Sequence, residues 1–75
     1  MENRVKFDGG RLREKRREAH LTQLELAEKA KLSLSGVIRY ERNYRVPDAN
    51  KLMNIAKVLN CEWEYFFAVN VSDKM

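Results

Sequence analysis

The 75-residue sequence predicts an all-α fold of five short helices, and three observations predict it. Apolar residues recur at helical spacing, no stretch shows the alternation of a half-buried strand, and capping residues stand in front of most of the apolar stripes. Asp8 is the candidate N-cap of the first helix, with Phe7 and Leu12 at the spacing of a hydrophobic staple. That helix runs to about Ala19 and sets Leu12, Arg16 and Ala19 on one face. Thr22-Gln23-Leu24-Glu25 is a capping box stapled by Leu21 and Leu26, so a second helix starts at Thr22 and ends near Ala30. After the short connection of Lys31 and Leu32, Ser33 caps a third helix with Val37, Tyr40 and Glu41 turned inward. Asn43 through Pro47 form a loop, because Asn tolerates left-handed backbone and Pro disfavours helix before it. Asp48 caps a fourth helix whose stripe is Leu52, Ile55, Ala56 and Leu59, stopped at Asn60. A fifth, from Glu62 to about Ala68, carries Trp63, Phe66 and Phe67. Residues 1–6 and 72–75 read as frayed ends, and residues 1–75 as one domain with its core at about 7–68.

Composition narrows the classes of function. A chain this short buries only about 60% of its unfolded surface, so a minimal core is expected. The single Cys61 cannot form an internal disulfide, and no Cys/His cluster has metal-ligand spacing. No cofactor and no metal are therefore expected, and Cys61 reads as a core residue. The apolar runs are far shorter than the roughly 20 residues that cross a bilayer, which points to a cytoplasmic protein with no membrane partner. The net charge is +4, and it is unevenly spread. Residues 1–45 hold 12 Lys/Arg against 7 Asp/Glu, whereas residues 46–75 hold 3 against 4. One end of the molecule is therefore electropositive and suited to a polyanion.

Two short helices joined by a tight turn carry a resemblance. Leu12-Arg13, Leu21-Thr22-Gln23, Leu26-Ala27, Ser33, Val37, Arg39-Tyr40-Glu41-Arg42, Pro47, Leu52 and Ile55 through Leu59 stand at the spacing of one family. The sequence resembles the Cro and phage-repressor type of helix-turn-helix, the XRE family. The resemblance covers roughly residues 9–68 and implies a compact five-helix bundle of the lambda-repressor-like DNA-binding domain type, its helix-turn-helix formed by helices 2 and 3. It also implies a homodimer that binds a double-stranded DNA operator of two inverted half-sites and regulates transcription, commonly by repression.

The residues support site assignments beside that resemblance. On the third helix Leu34, Ser35, Ile38, Arg39 and Arg42 point outward. Arg39 can fork onto guanine, Ser35 can bond several bases, and Leu34 or Ile38 can pack on thymine methyls. Gln23 matches a family position that contacts phosphate. Arg17, Arg42, Asn43, Tyr44 and Arg45 are further candidate phosphate contacts, the last four because they leave the recognition helix as a basic loop. Arg16 and Glu41 are two opposite charges aimed at one core, expected to pair as a structural bridge. Trp63, Phe66, Val69 and Val71 are the candidate dimer interface, with Phe67 either there or in the core. The family's usual glycines are replaced by His20, Lys31 and Asn43, each where left-handed φ is expected, and Ile38 replaces a usual polar residue.

Other readings of the same residues remain open. Leu34 and Ile38 could form an apolar patch for a partner protein, and the run Arg11 to Arg17 a solvated helix face. The competing function is an antitoxin or anti-regulator acting through protein–protein binding. An enzyme is not expected, since Glu14, Glu18, Glu25 and Glu28 are scattered charges and His20 has no catalytic neighbours.

Overall fold

Asp8 opens the first helix, α1 (Gly9–Glu18), by accepting the backbone N–H of Gly10 at 2.9 Å. The computed structural model describes the backbone of residues 3–71 and the side chains of residues 5–68. Three further capped helices follow: α2 (Gln23–Ala30), α3 (Leu34–Glu41) and α4 (Ala49–Leu59). Thr22, Ser33 and Asp48 are their N-caps, accepting from Glu25, Gly36 and Lys51 respectively. Around Thr22 the box is complete, because the Glu25 carboxylate also accepts the Thr22 N–H at 2.8 Å.

The residues buried on these helices form one core. Leu12, Leu26, Val37 and Ile55 are wholly buried and meet Phe66 from the end of the chain. Ala27, Ala30 and Ala56 keep the helices close, while Tyr40, Leu52, Leu59 and Phe7 close the cluster. On α1 the inward stripe is Gly9, Leu12 and Arg16, and Ala19 is exposed as the C-cap instead of lying on it.

The expected fifth helix does not form. Residues Trp63–Phe66 make one 3-10 turn, in which the Tyr65 N–H reaches the Glu62 carbonyl at 3.0 Å, and the chain then straightens into a strand. The molecule therefore has four α-helices, not five, among the described residues. That strand, β2 (Phe67–Val71), pairs antiparallel with β1 (Asn3–Phe7), so residues 3–6, expected to fray, are paired. The register runs from Phe7 opposite Phe67 to Asn3 opposite Val71, and the Asp8 N–H continues the ladder onto the Phe66 carbonyl at 2.7 Å. Two causes act together: the segment after Phe66 carries β-branched valines, and β1 offers it a ladder that a last helical turn lacks. An edge-to-face contact of the Phe7 and Phe67 rings, 5.9 Å between centroids, anchors the ribbon to the core.

Candidate nucleic-acid interface

The turn between α2 and α3 is built by one left-handed residue. Lys31 has φ 61°, which lets the Leu32 N–H bond back to the Ala27 carbonyl at 2.8 Å. Orphan carbonyls of α2 are thereby satisfied, and Ser33 is placed to start α3 at once. His20, Asn43 and Asn60 also have positive φ, at the ends of α1, α3 and α4.

On α3 the inward side chains are Val37, Tyr40 and Glu41, which leaves an outer face with Leu34, Ser35 and Arg39 exposed and Ile38 half-buried. Arg42, Tyr44 and Arg45 extend it as an exposed basic loop. Asn43 also braces the fold, since its Oδ1 accepts the Gly9 N–H at 2.8 Å and ties α1 to the end of α3. There the backbones touch, because a Cβ on Gly9 would fall inside contact distance of the Tyr40 and Glu41 carbonyl oxygens.

Behind the outer face of α3 lies a buried charge cluster. Arg16 donates from Nε to Glu41 Oε2 at 2.6 Å and from Nη2 to Oε1 at 3.1 Å, and its Nη1 reaches the Leu21 carbonyl at 2.8 Å. Gln23 donates from Nε2 to the same Glu41 Oε1 at 3.1 Å. Arg13, absent from the expected site, pairs with that oxygen at 3.6 Å. No buried side-chain polar atom among the described residues lacks a hydrogen-bond partner.

The other basic residues of α1 divide between structure and surface. Arg11 lies 5.5 Å and Lys15 4.9 Å from the centre of the Tyr65 ring, and Arg11 Nη1 donates to the Tyr65 carbonyl at 3.2 Å. Lys15 pairs with Glu18 at 3.3 Å, which holds its ammonium above the ordinary lysine value. Arg17 is exposed and has no ion-pair partner among the described residues.

Phe66 is wholly buried and so belongs to the core and not to a dimer interface, because the 3-10 turn directs it inward. Trp63 is partly exposed and packs edge-to-face on Phe67 at 5.6 Å. The side chains of Val69 and Val71 lie outside the described ones. A groove between the ribbon and the loop after α3 is lined by Val5, Phe7, Val46, Phe67 and Ala68, with Val5 and Val46 exposed. Cys61 is half-buried against the core, and burial pushes its thiol up, away from nucleophilic chemistry. Among the described residues no group of three or more His, Cys, Asp or Glu could hold a metal ion.

Residues 12–66, which contain both short helices and the turn between them, match the family described as helix-turn-helix. The chain belongs to the helix-turn-helix family. This helix-turn-helix protein is 39% identical over 57 residues to the HTH-type transcriptional regulator ImmR of Bacillus subtilis (strain 168). The match covers 76% of the present chain but 45% of ImmR, so the chain spans less than half the length of that relative. Among solved structures it is similar to the restriction-modification controller protein C.AhdI from Aeromonas hydrophila, at 34% identity and a TM-score of 0.75 over 79% of this chain and 89% of that one. It is also similar to the biofilm regulator SinR of Bacillus subtilis in complex with DNA, at 31% identity and a TM-score of 0.73 over 76% and 95% of the two chains. The Cro and phage-repressor type read from the sequence is the type to which this helix-turn-helix protein belongs.

Proposed function

We propose that the chain is a sequence-specific double-stranded DNA-binding regulator of transcription, a repressor that acts as a homodimer on an inverted-repeat operator. The observation that carries this reading is the two-sided third helix. Val37, Tyr40 and Glu41 lock α3 to the body, while Leu34, Ser35 and Arg39 stand exposed beside a basic loop. A helix entering the major groove needs such a rigid back and a polar, partly apolar front. In this reading Leu34, Ser35, Ile38 and Arg39 contact bases, and Arg17, Gln23, Arg42, Asn43, Tyr44 and Arg45 contact phosphates. Trp63, Val69 and Val71 hold the dimer. The relatives give the same direction, since ImmR and SinR are named as regulators and SinR is seen with DNA.

The whole of residues 1–75 is taken as one DNA-binding domain. No helix among the described residues is long and apolar enough to cross a membrane, and a DNA-binding role implies a cytoplasmic location. Selection of bound sequences from a random duplex library tests the reading. A palindromic consensus with half-sites one helical turn, about 34–36 Å, or a multiple of it apart is expected. Recovery of no consensus, together with a stable complex with another protein, would favour the anti-regulator reading instead.

A further inference from the structure

The ribbon has two outer edges, and they are not alike. The Asp8 N–H donates to the Phe66 carbonyl at 2.7 Å, one residue beyond the Phe7–Phe67 pair of the register. Bonded pairs alternate along an antiparallel ladder, so residues 4, 6 and 8 turn their N–H and C=O groups towards residues 70, 68 and 66. Asn3, Val5 and Phe7 turn theirs to the outer edge of β1, and Phe67, Val69 and Val71 to the outer edge of β2. The Phe67 N–H closes the 3-10 turn onto the Glu64 carbonyl, which leaves the Phe67 carbonyl and the backbone groups of Val69 and Val71. Among the described residues no third strand meets either edge.

An unpaired edge invites a further strand, and proteins guard it with charges, above all lysine, or with proline. β1 is guarded by Arg4 and Lys6. A twofold pairing of β1 centred on Val5 sets Arg4 opposite the partner's Lys6, and moving the centre by one residue sets Arg4 opposite Arg4 or Lys6 opposite Lys6. β2 has no such guard, since Phe67-Ala68-Val69-Asn70-Val71 holds neither charge nor proline and is rich in residues that favour strands. A twofold pairing of β2 centred on Val69 sets Val69 opposite Val69, Val71 opposite Phe67 and Asn70 opposite Ala68, with no like charges. Pairing β1 of one copy with β2 of the next is head-to-tail and has to continue into a ring or a filament. Pairing β2 with β2 closes at two copies and leaves only the guarded β1 edges outside.

We propose that β2 is the seam of the dimer: a second copy of this chain pairs with it edge to edge, antiparallel about a twofold axis at Val69, into one four-stranded sheet ordered β1-β2-β2-β1. Backbone hydrogen bonds hold the seam, from Val69 to the partner's Val69 and from Val71 to the partner's Phe67. A two-stranded ribbon is marginal alone, and the added strands supply what it lacks. The pairing also brings the end of the partner's strand to Phe67, on whose ring the exposed Trp63 packs at 5.6 Å. The seam rests on the homodimer reading above and assigns the contact to the main chain of β2.

Proline distinguishes the two edges, because at Val5 or Val69 it removes an N–H that the ribbon itself does not use. Sedimentation at several concentrations compares wild type, Val69→Pro and Val5→Pro, with circular dichroism and thermal melts to check folding. Wild type and Val5→Pro are expected to be dimers, and Val69→Pro a monomer with the helix content of wild type. In a Cys61→Ala background, Val69→Cys is expected to cross-link to its counterpart on mild oxidation, since bonded pairs lie about 5.5 Å apart between Cα atoms, which a disulfide spans. Val5→Cys in the same background is expected to stay uncrosslinked, and this cysteine pair decides the case if Val69→Pro does not fold. A folded Val69→Pro that remains dimeric, or a Val69→Cys that cross-links no more than Val5→Cys, overturns the seam and leaves the homodimer reading in place. A wild type that is monomeric at every concentration and on its operator overturns that reading, and the seam with it.

Discussion

Glu41 has a side chain with no exposed surface, and its carboxylate is surrounded by Arg16, Gln23 and Arg13. Removing Arg16 leaves a carboxylate buried without its main partner, and removing the Glu41 charge leaves a guanidinium in the same position. Either single change is expected to cost about 3–5 kcal/mol, whereas replacing both partners together costs much less than the sum. A domain of this size is stable by only about 5 kcal/mol, so Arg16→Met and Glu41→Gln should be largely unfolded in mild denaturant. Denaturant melts of the two single variants and the double variant check this, and single costs near zero would show that the bridge does not hold the fold. Gly9 is the other residue on which the α1–α3 contact depends. Its missing Cβ leaves room for two backbone carbonyls that cannot rotate away, so Gly9→Ala forces the helices apart and breaks the Asn43 cap. A loss of about 3 kcal/mol is expected in the same melts, near the upper end of overpacking costs.

Among the elements, the α2–α3 turn carries a conformational strain that a sequence change can relieve. Lys31 sits at φ 61°, a region that costs a residue with a Cβ roughly 1–2 kcal/mol. Glycine adopts it freely but loses more backbone entropy on folding, by about 0.4–1 kcal/mol. Lys31→Gly should therefore stabilise the protein by about 0.5–1 kcal/mol. A melting temperature that falls would mean the lysine side chain contributes more than its backbone costs. The fourth helix carries a pH dependence. The Lys51 backbone N–H, bonded to Asp48 Oδ1 at 2.9 Å, holds the Asp48 carboxyl below its ordinary value. A depressed carboxyl contributes stability that is full above the ordinary carboxylate range and is lost as pH falls through its lowered value. Thermal melts from neutral to acid pH should show this loss in wild type, and Asp48→Asn, which caps without a charge, should show a shallower one.

Across the described residues, the first and the last strand meet. The ribbon of β1 and β2 ties residues 3–7 to residues 67–71, and a two-stranded ribbon alone is marginally stable in water. Here it is supported by Phe7 in the core and by the Trp63–Phe67 contact. Exposed Val5 and Val46 flank the groove beside it, on the side reached by the loop leaving α3. In the proposed dimer this end of the molecule faces its partner. Val69→Asp with Val71→Asp is expected to sediment as a monomer and to lose affinity for a full operator while keeping its half-site preference. A variant that stays dimeric and folded would move the interface elsewhere.

The four helices, their caps and the placement of the helix-turn-helix are legible in the order of the amino acids. Capping and amphipathic stripes act over three or four residues, so Thr22 with Glu25, Ser33 before Val37, and Asp48 before Leu52 carry their own structural instruction. The outward positions of Leu34, Ser35, Arg39 and Arg42, and the inward positions of Arg16 and Glu41, follow from the same helical period. Features that depend on partners far along the chain emerge only in the folded molecule. Phe66 and Phe67 read locally as the end of a helix, and the turn and strand they form instead depend on β1, some 60 residues earlier. Arg13 reads as one of several solvated charges until α3 brings Glu41 beside it, and Gly9 reads as an ordinary helix start until the Tyr40 and Glu41 carbonyls close on it. A strand ladder, a shared carboxylate and a close backbone approach are contacts between distant segments, and no local period encodes them.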